Sequence, residues 1–234
     1  MNTDNSKKSM SSARRQSTLQ TSRWIAGVSG VLFLLLIVLV KTVDTATVEA
    51  TGKTMGLYTL NGGFHALTGV NMFWYKLTQV LGIFLILVAG GFAFLGLHQL
   101  IKRKSLLKVD RCLLCLGGLY AVLIVLYAFF EKVIINYRPI IMDGKLAAEA
   151  SFPSSHTMLV CVVMGSAVML IPHYVKDAKI RQILQIVCLL VILITVIGRL
   201  ICGVHWFTDI LGGVLISMTL LALFRIVSMK RGNR

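Results

Sequence analysis

Apolar residues run along this chain in long blocks separated by short polar segments. Six such blocks can be read, Trp24 to Val43, Lys76 to Ile101, Cys112 to Phe130, Thr157 to Tyr174, Gln182 to Gly198 and Asp209 to Phe224. Several are close to the roughly 20 residues that carry an α-helix across the hydrocarbon of a bilayer. The pattern predicts an all-α polytopic bundle of six transmembrane helices. The last block is the shortest, and its polar start belongs with the candidate chemistry described below.

The polar segments set the organisation around these spans. Residues 1–23 are rich in Ser, Thr, Lys and Arg and lack the apolar residues a core needs, which predicts a disordered cytoplasmic arm. Between Asp44 and Met72 a modest apolar pattern with Gly62-Gly63 and His65 leads into Phe73-Trp74-Tyr75, which predicts a short interfacial helix with aromatics at headgroup depth. Residues 24–228 then form one six-span domain and residues 229–234 a cytoplasmic tail. No internal repeat is visible, and the first span lacks the small-residue cleavage pattern of a removable signal.

Composition agrees with the blocks: 56% of the residues are hydrophobic, only 14% are charged, and the mean hydropathy is +0.81, as expected of an integral membrane protein. A net charge of +15 taken alone suggests a nucleic-acid partner, but its distribution argues against one. With a cytoplasmic amino terminus, the inner segments hold five Lys and Arg in the arm, five in Lys102 to Arg111, three in Val175 to Arg181 and four at the carboxyl end. That is 17 of the 24, the positive-inside bias of a membrane protein. Both termini are then cytoplasmic, and Lys132, Arg138 and Arg199 are among the seven cations on the outer side.

Candidate chemistry lies in three polar clusters that this topology puts on one face of the membrane. Ionisable groups are costly in lipid, which makes them functional candidates by default. The most informative stretch is Gly198-Arg-Leu-Ile-Cys-Gly-Val-His-Trp-Phe-Thr-Asp209. On a helix, His205 and Asp209 share a face, so the carboxylate can accept the imidazole N–H and fix its tautomer. A histidine held that way is a nucleophile or a base. The other clusters are Glu131-Lys-Val-Ile-Ile-Asn-Tyr-Arg-Pro139 and Phe152-Pro-Ser-Ser-His-Thr157.

Together the clusters resemble the type-2 phosphatidic acid phosphatase superfamily of membrane lipid phosphatases and phosphotransferases. Its pattern is Lys-x6-Arg-Pro, then Pro-Ser-Gly-His, then Ser-Arg-x5-His-x3-Asp. Arg138-Pro139, Pro153-Ser154-Ser155-His156 and Arg199-x5-His205-x3-Asp209 match it in order and spacing. Three positions depart from it. Ser155 stands where the family has glycine, and Gly198 where it has serine. Lys132 comes six residues before Arg138 instead of seven, so Glu131 holds the lysine position. One helical step turns a side chain by about 100°, and Lys132 serves only if its long stem reaches round or the helix end before Pro139 is locally over- or underwound.

The resemblance implies His205 as nucleophile, Asp209 as its orienting carboxylate, and His156 as the acid that protonates the leaving alcohol. It also implies phosphate binding by Arg138, Arg199 and Lys132, with Ser154 and Ser155 helping at a helix amino terminus. The expected partners are a lipid phosphate and the bilayer, with no nucleic acid, no cofactor and no metal, since no carboxylate pair has the spacing of a magnesium site. Hydrolysis, phosphoryl transfer to another acceptor, and headgroup binding without catalysis all remain open. So do the substrates, with undecaprenyl diphosphate, phosphatidylglycerophosphate and phosphatidic acid as candidates.

Bland readings suit the remaining polar residues. His65, His98 and His173 sit at loop or span ends as interfacial groups. Trp206 reads as packing, the five cysteines, Cys112 and Cys115 included, as small buried packing residues, and Gly90-Gly91 and Gly212-Gly213 as points of close helix approach.

Overall fold

The computed structural model describes residues 2–229, with side chains from Ser12 onward. Seven helices are described: α1 (Asn2–Thr42), α2 (Tyr58–Thr68), α3 (Met72–Arg103), α4 (Arg111–Lys132), α5 (Ser155–Tyr174), α6 (Ala178–Ile201) and α7 (Phe207–Met229). All but α2 are long and apolar enough to cross a bilayer. The six-span bundle read from hydropathy is the fold. Large apolar side chains such as Val80, Ile86 and Phe94 of α3 or Ile183 and Leu189 of α6 are exposed at the surface of the chain. Hydrocarbon is the solvent in which that exposure is stable.

Helix α5 is the axis of the bundle. It packs most extensively against α6 and α7 and also touches α3 and α4, while α1 lies along α7. Its Met158, Val160, Val162, Met164 and Ala167 are almost wholly buried. Close packing with α7 depends on small residues, because a Cβ on Gly213 would stand 2.9 Å from the Thr157 Cβ and 3.0 Å from the Ser154 carbonyl oxygen. At Gly212 a Cβ would meet the Phe152 ring at 2.7 Å. The second predicted glycine pair does not act this way: Gly90 and Gly91 have no neighbour that a methyl group would touch.

Two expectations are corrected outside the spans. The arm predicted to be disordered continues α1, whose helix runs unbroken through residues 12–23. Thr18, Thr21 and Ser22 hydroxyls donate to carbonyls four residues earlier, and Arg15 donates to the Met229 carbonyl. Packing on α7 thus supplies the partners that composition alone does not reveal. The segment after α1 begins with a hairpin, β1 (Ala46–Val48) antiparallel to β2 (Lys53–Met55), with Thr47 opposite Thr54. The interfacial helix follows as α2, and Phe73-Trp74-Tyr75 belong to the first turn of α3. Of the tail read as residues 229–234, Met229 ends α7 and residues 230–234 lie outside the described residues.

Candidate active site

The His205 loop, between α6 and α7, is held rigid from below and above. Trp206 and Asp209 cap α7 reciprocally: the Trp206 N–H donates to Asp209 Oδ2 at 2.9 Å, and the Asp209 N–H returns to the Trp206 carbonyl at 3.1 Å. A further α7 N–H, that of Thr208, donates to the Asn61 side-chain oxygen from α2 at 3.1 Å. From the other side the Asn71 N–H donates to the Cys202 carbonyl at 3.1 Å, and His65 Nε2 lies 3.1 Å from the Gly203 carbonyl oxygen. Gly203 has φ +67°, and a Cβ there would come within 1.9 Å of the Gly69 carbonyl oxygen, so only glycine fits.

Within this frame the buried Asp209 faces His205, with Oδ2 3.5 Å from Nδ1. Arg199 completes the row: its Nη2 lies 3.0 Å from His205 Nε2. A guanidinium has no lone pair to offer, so Nε2 accepts and the ring proton sits on Nδ1, toward the carboxylate. Burial first, then the positive charges of Arg199 and Arg138 and the nearby His156 ring, hold His205 well below the ordinary imidazole value. The ring is therefore neutral at neutral pH, with the lone pair on the nitrogen that points away from Asp209.

Arg199 is itself fully buried. Its guanidinium lies over the Tyr75 ring, 5.2 Å from the centroid, and Nη1 donates to the Thr78 hydroxyl at 3.4 Å. Thr78 also accounts for one departure from the motif. A Cβ on Gly198 would stand 2.8 Å from Thr78 Cγ2 and 3.1 Å from the Trp74 ring, so α3 occupies the space of a side chain at 198 and brings a hydroxyl of its own.

The α4–α5 loop brings the second arginine. Tyr137 pairs with Ala150 across it, the Arg138 N–H donates to the Glu149 carbonyl at 3.0 Å, and the Ser151 N–H to Asn136 at 2.9 Å. Trp206 Nε1 donates to the Tyr137 carbonyl at 2.7 Å, which ties this loop to the His205 loop. The packing role read for Trp206 thus includes a hydrogen bond to the residue before Arg138. Arg138 Nε and Nη1 and Arg199 Nε are buried N–H groups with no hydrogen-bond partner in the protein. At the start of α5, Ser155 shares a narrow cleft with His205 and Glu131. His156 Nε2 meets the side-chain oxygen of Gln79 on α3 at 2.5 Å.

Five of the eight candidate residues converge around His205: Arg138, Arg199, His156, Ser155 and Asp209. Two residues expected to bind phosphate stand apart. Ser154 is fully buried, and its hydroxyl accepts from Thr157 at 3.1 Å within the α5–α7 contact. Lys132 is exposed in the last turn of α4, and Glu131, one step round, faces the cleft in its place.

Residues 112–233 match the family model described as the PAP2 superfamily, just over half of the chain. The chain belongs to the PAP2 superfamily. It is 29% identical over 102 residues to phosphatidylglycerophosphatase B of Bacillus subtilis (strain 168), across 43% of this chain and 48% of that protein. The chain thus matches about half the length of this curated relative. Among solved structures, the first transmembrane PAP2 type phosphatidylglycerolphosphate phosphatase from Bacillus subtilis is similar in fold, with a TM-score of 0.60 at 21% identity over 90% of this chain and 100% of that one.

Membership in PAP2 sharpens what the motifs left out. Thr78 and Gln79 on α3 and Asn61 and His65 on α2 touch the site or its frame, yet none lies in a motif. The available signal for Gln79 was an amide inside an apolar span, which lipid disfavours without a partner. His65 gave none beyond its place near a span end. The cysteines are all free thiols, with Cys161, Cys188 and Cys202 buried and Cys112 and Cys115 half-buried.

Proposed function

We propose that the protein is a membrane lipid phosphatase that works through a phosphohistidine and requires no metal. One observation carries the reading: buried guanidinium N–H groups without hydrogen-bond partners in the protein lie around a neutral histidine whose far nitrogen faces a carboxylate 3.5 Å away. Buried charge of this kind is stable only if an anion completes it, and a phosphoryl group matches the forked geometry of arginine.

In the first step the phosphoryl oxygens draw Arg199 and Arg138 onto themselves. His205 Nε2 then attacks phosphorus as the bond to the lipid alcohol breaks, and His156 gives its proton to the departing oxygen. Asp209 stabilises the positive charge that grows on the His205 ring. In the second step His156 takes a proton from water, the oxygen attacks phosphorus, and the P–N bond returns its electron pair to Nε2. Arginines in place of a divalent ion stabilise the transferring group. The distribution of Lys and Arg supports an outward-facing site with both termini cytoplasmic. The similar Bacillus protein is named a phosphatidylglycerophosphatase, and phosphatidylglycerophosphate is the substrate we favour.

Phosphate release by detergent-purified protein tests this reading. Phosphatidylglycerophosphate, undecaprenyl diphosphate and phosphatidic acid are compared in EDTA, with His205→Ala as control. Release from the first that disappears in the control supports the proposal. A phosphohistidine that forms but yields phosphate only when an alcohol acceptor is added would make the protein a phosphotransferase.

A further inference from the structure

The charge around the proposed phosphate site does not balance with its two arginines alone. Three carboxylates lie beside them or beside His205. Asp209 is buried behind His205, Glu131 lines the cleft that also holds Ser155 and His205, and Glu149 is the ion-pair partner of Arg138 at 3.6 Å. The two arginines thus face as much negative charge as they carry, which leaves little net attraction for a phosphate dianion, whose transfer depends on electrostatic stabilisation.

The α4–α5 loop supplies another cation at the rim. Lys145 donates to Glu149 Oε1 at 2.8 Å while Arg138 lies against Oε2, so one carboxylate sits between two cations with an oxygen toward each. Lys145 is fixed at its backbone by a turn, its N–H donating to the Met142 carbonyl at 3.0 Å, with Gly144 at φ +77° beside it. Its side chain is 54% exposed and free to move on a four-carbon stem. The Lys145 hydrogen bond also holds the Glu149 carboxyl below its usual range, which keeps this bridge ionised at neutral pH.

We propose that Lys145 is a substrate-binding residue of this site: when a phosphate headgroup arrives, its oxygens take the place of the Glu149 carboxylate between Arg138 and Lys145. The loop thereby provides the third cation that the last turn of α4, where Glu131 lines the cleft and Lys132 is exposed, does not. The inference deepens the lipid phosphatase reading and rests on it for the identity of the substrate. Lys145 contributes to binding rather than to chemistry, so KM and kcat should separate.

The experiment compares Lys145→Met, Lys145→Arg and Lys132→Met with the wild type on phosphatidylglycerophosphate. Inorganic phosphate binding is followed in parallel as a shift in melting temperature. Lys145→Met is expected to raise KM about tenfold with kcat within about twofold, as for loss of one charge-assisted contact. Phosphate affinity should fall by about the same factor, and Lys145→Arg should restore most of both. Unchanged KM and phosphate affinity in Lys145→Met overturns the proposal, as does a rise in KM confined to Lys132→Met. If the wild type hydrolyses no lipid phosphate yet its phosphate affinity depends on Lys145, the phosphatase reading fails and the Lys145 assignment stands.

Discussion

Replacing Asp209 by Asn isolates the electrostatic part of the proposed chemistry, because the side chain keeps its shape and an oxygen for the Trp206 N–H. What disappears is the negative charge 3.5 Å from His205 Nδ1. At an effective dielectric constant of about 20, unit charges at that distance interact by about 5 kcal/mol. The ring carries a full positive charge only in the phosphohistidine, so this interaction belongs to the transition state and intermediate and not to the resting enzyme. At about 1.4 kcal/mol per factor of ten, kcat should fall by about three to four orders of magnitude. Rapid-quench measurement of phosphate release from phosphatidylglycerophosphate reads this directly, with the melting temperature as a check on folding. A loss of less than about tenfold in a variant that melts with the wild type would show that Asp209 only caps α7.

Three further outcomes follow from the same geometry. Gly203→Ala places a methyl group against the Gly69 carbonyl at a positive φ, and should destabilise the fold by about 3 kcal/mol, read as a large drop in melting temperature. Gly117→Ala, which meets no neighbour, should change it little. His205 is held below the ordinary imidazole value, so the unfolded chain takes up its proton first on acidification. Stability should be unaffected by this group above about pH 6.5 and decline below it, while the reactive neutral ring persists in the folded enzyme. The acid limb of kcat/KM should therefore lie well below pH 6.5, and a limb centred there would contradict the burial argument. Activity in millimolar EDTA should equal that without chelator; its loss would show that a divalent ion shares the work assigned to Arg138 and Arg199.

The spans were legible because membrane helices announce themselves by length and hydropathy, a property of composition along the chain. The blocks underestimated their ends, since α3 begins at Met72 and α7 runs to Met229. The three-residue strands of the hairpin are too short for any alternation to register. At the site, spacing sufficed to bring His205 and Asp209 together, although His205 lies in the loop before α7 and not on the helix face that the spacing suggested. It failed for Lys132, because only the direction of a side chain from the last turn of α4 decides whether residue 131 or 132 faces the cleft. Contacts made across helices, such as Thr78 with Arg199 and Gln79 with His156, leave no periodic trace in either strand of sequence. The helical arm was missed for a related reason: its partners lie on α7, far along the chain.

The fit between Gly198 and Thr78 carries a historical implication. A side chain at 198 would stand 2.8 Å from Thr78 Cγ2, so a serine there requires Thr78 to shift or to be replaced by something smaller, while position 78 can shrink with Gly198 unchanged. A change from glycine to serine beside this arginine is therefore costly while Thr78 stays in place and easier once position 78 carries a smaller side chain. The order of substitutions, rather than the merit of either residue, then decides which version of the site a descendant inherits.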